Sequence, residues 1–400
     1  MQFSLRRLLA SGSAAALIKL AAAAGSYVMF VALARTTDAE GFGLFAAAFS
    51  AASLLSLLGL VGQHSAVLRF WSEWVGKGAP DLARALVWRS ARTTALGLLS
   101  VVGTTLLFGW CADTFTHRSG MFPIAAGTAL LAATLGLAEF LSSALRAHGA
   151  LFAALLPRDI VWRVLVIGCA GIIIVQNMSI DAETATWLTS GLLLLSLLPQ
   201  IALFRAAFRP YSPLPGEHLA LFRSVSRGLW GVTALGAALA QVATLAVAVM
   251  LGPELAGAYF AAHRSALLIS VALGGLNQVV APQIARSYHS GESAQVQQAV
   301  SWSAAVSLIV GLMCLALFGF AGSEVLALFD PAYSASWLWW VLMVLAAGQV
   351  LNAAAGPTSW LLQMTGQQNV LLVILIGSNA AGLLAVIILI PPLGALGAAF

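Results

Sequence analysis

Apolar stretches of about twenty residues, nearly free of charge, alternate with short polar connections along the whole chain. A helix rising ~1.5 Å per residue needs that length to cross a hydrocarbon core about 30 Å thick. The pattern predicts membrane helices over residues 12–34, 43–62, 93–112, 122–145, 152–176, 185–204, 229–250, 256–281, 299–320, 337–356 and 370–390. A further apolar run restarts at Leu393 and reaches Phe400, the expected opening of a twelfth helix that the chain truncates. The reading is an all-α polytopic membrane protein.

Composition narrows this further. Charged residues make up 8% of the chain, whereas a soluble domain carries roughly 25%. The net charge of +5 follows from where the cations sit and does not point to nucleic acid. With the N-terminus in the cytoplasm, the inner segments hold Arg6, Arg7, Arg69, Lys77, Arg84, Arg89, Arg92, Arg146, Arg158, Arg205, Arg209, Arg223, Arg227 and Arg286, while the outer loops hold Arg35 and Arg118. That asymmetry is what the positive-inside rule demands. All tryptophans but Trp162 fall in loops or near span ends, as an aromatic belt requires. The first apolar run follows Arg6 and Arg7 but is too long for a signal peptide and contains Lys19, so it reads as a retained helix. Cys111, Cys169 and Cys314 lie far apart in or beside apolar spans and suggest packing residues, with no disulfide framework.

The chain repeats itself. Thr36-Thr37-Asp38-Ala39-Glu40-Gly41-Phe42-Gly43-Leu44-Phe45-Ala46-Ala47 aligns with Leu251-Gly252-Pro253-Glu254-Leu255-Ala256-Gly257-Ala258-Tyr259-Phe260-Ala261-Ala262, and, after a one-residue shift, Leu82–Trp88 aligns with Val296–Trp302. Both windows fall at equivalent places relative to the first and second, and the seventh and eighth, predicted helices. An even number of helices per copy gives two parallel lobes of six, expected to flank a central cavity. The expected organisation is an N-terminal lobe over 1–204, a basic cytoplasmic linker over 205–228, and a C-terminal lobe over 229–400. Within the linker, His218–Val225 reads as a short amphipathic helix on the membrane surface.

The Glu40-Gly41-Phe42-Gly43-Leu44-Phe45 turn, its Leu251-Gly252-Pro253-Glu254 counterpart and the basic segment after the second helix resemble the polysaccharide-biosynthesis flippases. So do Ala144-Leu145-Arg146-Ala147-His148-Gly149, Leu362-Gln363-Met364-Thr365-Gly366-Gln367 and the tail Pro392–Ala399. These proteins belong to the multidrug/oligosaccharidyl-lipid/polysaccharide exporter superfamily. The similarity spans essentially the whole chain through short structural motifs. At Thr36-Thr37 this chain departs from the Leu-Gly usual in the family.

No metal-ligand spacing, phosphate loop or nucleophile elbow is present, so no enzyme and no cofactor is expected. Charge at membrane depth is what remains: Lys19, Glu139, Asp159, Arg163 and Arg264, with Arg69 ending the second predicted helix. An ionised group at the bilayer centre costs roughly 2.5–3.5 kcal/mol on the insertion scale, so such residues normally face water or a partner. Each also has a plainer role. Lys19 can snorkel; Asp159 and Arg163 stand in the acid-first i, i+4 order that neutralises both; Glu139 can pair with Lys19 or Arg146; Arg69 can anchor a lipid headgroup. Arg264 has no acid within one turn. Gln241, Asn277 and Gln278 suit interhelical hydrogen bonds.

Lys19, Arg264, Arg163 and Arg69 are therefore the candidate substrate-binding residues, and Glu139 and Asp159 the candidates for ion coupling. The resemblance implies a bacterial inner-membrane flippase moving an undecaprenyl-diphosphate-linked oligosaccharide outward, with membrane lipids, a polysaccharide polymerase and glycosyltransferases as partners. A lipid II flippase, a cation-coupled drug exporter and a non-transporting scaffold of a glycan-assembly complex remain as alternatives. An exporter of cations would need embedded carboxylates; here buried cations outnumber them three to two.

Overall fold

The structure, a computed structural model, describes residues 5–116, 120–208, 216–289, 292–364 and 367–400. Arg118, Arg209 and the Thr365-Gly366 part of one family motif lie outside the described residues, as do the side chains of Arg6, Arg7, His218, Asn277, Gln278 and Arg286. The described elements are helical. In order they are α1 (Leu5–Thr36), α2 (Ala39–Gly59), α3 (Gln63–Gly76), α4 (Pro80–Thr116), α5 (Met121–His148), α6 (Leu151–Leu156), a π turn (Pro157–Val161), α7 (Trp162–Val175), α8 (Ala182–Ala207), α9 (Gly216–Leu251) and α10 (Pro253–His289). There follow α11 (Ser293–Ala327), a 3₁₀ turn (Pro331–Ser334), α12 (Ser336–Ala354), α13 (Thr358–Met364), α14 (Gln368–Leu393) and a last 3₁₀ turn (Gly394–Ala398).

The protein is a multi-pass membrane protein. α1 from Leu17, α2, α4, α5, α8, α11, α12 and α14 are each long and apolar enough to cross a bilayer. Every helix expected from the sequence has a counterpart, although the one expected over 152–176 is divided by the π turn into α6 and α7, and three further local differences have physical causes. The basic stretch 63–92, expected as a loop, is helical. In α3 the residues Gln63, Ala66, Val67, Phe70 and Trp74 share the buried face, and a Glu73–Lys77 pair at 2.6 Å braces the exposed one. α4 then starts early because Pro80 stands at its first position with Asp81 in its first turn. Residues 216–228, read as part of a linker with its own short helix, are the first turns of α9. Phe222 explains this: it is buried, with its ring 5.6 Å from that of Phe70 on α3, instead of facing a membrane surface. The apolar tail forms a 3₁₀ turn, tied down where the Tyr259 hydroxyl donates to the Ala398 carbonyl at 2.9 Å.

Chain packing divides the molecule into two compact units, one of residues 1–43 with 246–400 and one of residues 44–245. The boundaries fall inside α2 and α9. In the unit of residues 44–245, α5 packs on α4, α8 and α3. Leu60, Val67, Val87, Phe140, Leu141, Phe204 and Phe208 form its core. α2 and α4 approach until a Cβ on Gly97 would overlap the Gly59 carbonyl, the small-residue packing expected where no hydrophobic effect drives helices together. In the other unit α10, α11 and α12 pack on one another and α1 lies along α10. Here the two repeated turns meet: a Cβ at Gly43 would overlap the Pro253 carbonyl, and one at Gly257 would stand 3.1 Å from the Gly43 Cα.

Candidate functional site

In the unit containing α10, Arg264 is the centre of attention. Its guanidinium carbon lies 4.8 Å from the centroid of Phe30 on α1 and 4.5 Å from that of Phe260, one turn earlier on α10. The two rings meet edge to face at 5.0 Å. A cation over two aromatic faces is held by their quadrupoles, and such contacts strengthen on desolvation. Arg264 is half-buried, and its neighbour His263 is buried and stacked on Tyr259. Lys19 belongs to the same unit but not to the same cluster. It is exposed on α1, eleven residues before Phe30, which is about 16 Å along the helix axis.

The remaining candidates lie in the other unit, at the junction of α5 with the π turn. Glu139 accepts a hydrogen bond from Nη1 of Arg158, and Arg146 stands 3.8 Å from its other oxygen. Arg146 is one of the partners expected for Glu139; Arg158 is a partner the sequence reading did not supply. His64 from α3 completes this group. It is buried, and loss of hydration holds its imidazole below the usual histidine range. Its Nδ1 has no hydrogen-bond partner among the described residues.

Arg163 lies 3.8 Å from Asp159 at the expected i, i+4 spacing, donates to the Arg158 carbonyl at 2.7 Å and covers the Trp162 ring at 5.4 Å. Pro157 opens the π turn, and the extra residue widens the helix so that Arg158 reaches α5 while Asp159 stays buried. Arg69 sits on the exposed face of α3, 5.8 Å from the Phe70 centroid, and does not end the second span. The structure thus brings Glu139, Arg146, Arg158 and His64 together and pairs Arg163 with Asp159, while Lys19 lies on α1 in the other unit and Arg69 on the exposed face of α3. The missed partner carried one signal in the sequence, a proline immediately before an Arg-Asp pair within an apolar span.

This unit also holds an open apolar pocket of about 470 Å³ between α2, α4 and α5, lined by Ala48, Leu55, Phe108, Ile124 and Leu245 among others. The threonines on its wall turn their hydroxyls to their own helix backbones: Thr105 to the Val101 carbonyl at 2.8 Å, Thr128 to the Ile124 carbonyl at 2.7 Å.

The bundle is all-α, its cations held by aromatic rings and ion pairs, and its fold is like that of solved transporters of the multidrug/oligosaccharidyl-lipid/polysaccharide superfamily. The chain is similar to an inward-facing multidrug resistance MATE family transporter of that superfamily at a TM-score of 0.74 and 15% identity, over 96% of this chain and 92% of that one. It is also similar to a MOP superfamily transporter from Pyrococcus furiosus with a binding pocket of reverse polarity, at a TM-score of 0.67 and 15% identity over 97% and 90% of the two chains. A MATE transporter in complex with MaL6 matches at a TM-score of 0.66 and 16% identity, over 97% and 91%. No curated protein matches the sequence. The model of the polysaccharide biosynthesis protein family matches residues 8–288, and the chain belongs to that family.

Proposed function

We propose that this transporter is a flippase that carries a lipid-diphosphate-linked oligosaccharide outward across the bacterial inner membrane for polysaccharide assembly. Its N-terminus is cytoplasmic, and the two repeats act as lobes that rock about a central, hydrated path. Arg264 carries the reading. A half-buried guanidinium faced by aromatic rings is suited to a diphosphate that must not meet hydrocarbon. Lys19, in the same unit as Arg264, contacts the headgroup nearer the cytoplasm. The lipid tail stays in the bilayer.

Family membership supports this substrate class. The arrangement around Glu139 supports it too: a cation-coupled drug exporter needs an embedded carboxylate open to its cargo, and this one already stands between two guanidinium groups. The test is a transport assay on Lys19→Ala and Arg264→Ala. Both variants are expected to fold and reach the membrane, while lipid-linked sugar accumulates on the cytoplasmic leaflet and turnover falls at least about tenfold, the loss of one charge-assisted hydrogen bond or more. Unimpaired translocation in both variants would refute the cationic site. Drug efflux that requires Glu139 and spares Arg264 would favour the exporter reading, to which the similar MATE structures lend weight.

A further inference from the structure

The end of α1 is fastened to the end of α11. Nε of Arg35 donates to the Leu328 carbonyl and Nη2 to the Ala327 carbonyl, each at 2.7 Å. The last carbonyls of a helix lack partners within it and carry the negative end of its dipole, so a guanidinium fork bonded to two of them is a strong, directional contact. A layer of aromatic rings lies next to it. Tyr27 meets Phe329 at 5.3 Å, Phe42 meets Phe329 at 6.1 Å, and Phe30 meets Phe260 at 5.0 Å. The Tyr27 hydroxyl stands 3.3 Å from both Ser265 Oγ and the Val325 carbonyl. Arg264 is immediately beside this layer, its guanidinium on the Phe30 and Phe260 rings.

Apart from Arg264 on Phe260, which is internal to α10, these contacts join the first repeat, through α1 and the start of α2, to the second, through α10 and the C-terminal end of α11 with the residues that follow it. The site proposed for the headgroup is therefore bounded on one side by a contact between the two repeats that only the breaking of polar bonds and the parting of rings can open. We propose that Arg35 is the latch of a closed exit gate, and that Tyr27, Phe30, Phe42, Phe260 and Phe329 are the plug it holds shut. This rests on the transporter reading and on the proposed orientation, in which residues 35 and 328 face away from the cytoplasm; it does not depend on the identity of the cargo. A latch made of two hydrogen bonds to backbone is reversible, and replacing it by water frees α1 from α11 without disturbing either helix interior.

Ser265 is buried behind the plug and can report on it. With Cys111, Cys169 and Cys314 changed to serine, Ser265→Cys is exposed to a membrane-impermeant maleimide in intact cells and in inverted vesicles. With Arg35 present, labelling from outside is expected to be slow. Adding Arg35→Ala should speed it about tenfold or more, because two charge-assisted bonds no longer bias the closed state, and Arg35→Lys, which keeps the charge but lacks the planar, pre-organised fork, should fall between. Phe329→Ala, which thins the plug and keeps the latch, should accelerate labelling as well and serves if the Arg35 variant does not fold. Labelling unchanged from either side in folded Arg35→Ala and Phe329→Ala protein would show a static helix cap and end the proposal. A gate that responds in this assay while Lys19→Ala and Arg264→Ala transport normally would retain the latch and remove the headgroup site.

Discussion

At the scale of single residues, burial turns charged side chains into a question of partners. Glu139 and Arg158 are each about a quarter exposed, 23% and 24%, so neither can rely on water. Truncating one partner of such a pair strands the other, which destabilises a protein by roughly 3–5 kcal/mol in a dry interior and less where some water reaches. Arg158→Ala and Glu139→Ala are each expected to lower stability by about 2–3 kcal/mol, and the double variant by clearly less than the sum. Thermal unfolding in detergent, arranged as a double-mutant cycle, measures the coupling. Strict additivity would mean that the two groups act independently and that the brace between α5 and the π turn is illusory. The sequence alone showed that Glu139 needed a cation. It could not show which one, because the partner is set by a π turn that adds a residue and rotates everything after Pro157.

At the scale of elements, the apolar periodicity placed helices near those observed, since hydropathy reads burial in lipid directly, but the expected span over 152–176 is divided by the π turn and, over the described residues, α10 is not among the helices apolar enough to cross a bilayer. It failed where helices leave the bilayer. α3, the first turns of α4 and the first turns of α9 are charged on one face, and charge was taken for loop; their stability comes from packing of the other face, as with Phe70, Trp74 and Phe222. Packing inside the membrane depends instead on backbone approach. Gly97 on α4 lies against Gly59 on α2 so closely that Gly97→Ala must push the helices apart. In an exposed helix that substitution would gain up to about 1 kcal/mol from propensity. Here the overlap is with backbone, which cannot rotate away, and a net loss of about 1–3 kcal/mol is expected. Gly103→Ala, on the same helix with open space around its Cα, is the control. Equal unfolding temperatures for the two variants would contradict a close α2–α4 crossing.

For the molecule as a whole, the repeat is what links pattern to mechanism. Its two turns were recognisable from Gly41-Phe42-Gly43 and Ala256-Gly257-Ala258, and the structure packs them on each other, Gly43 against Pro253 and Gly257. That contact, the Arg35 latch and the surroundings of Arg264 were not legible in the sequence, because they join residues more than 200 positions apart with few identities to guide the pairing. Orientation, in contrast, rests on a sequence property alone. If cationic loops stay in the cytoplasm, the turn between α3 and α4, which holds Lys77, and the turn between α7 and α8, which holds Asn177, must lie on opposite sides. Lys77 and Asn177 are both exposed, so cysteine at either can be reached without unfolding. In a background with the native cysteines replaced, an impermeant maleimide should label Asn177→Cys in intact cells and Lys77→Cys only in inverted vesicles. The reverse pattern would turn the molecule over: residues 35 and 328 would then face the cytoplasm, and the latch would close the entrance instead of the exit.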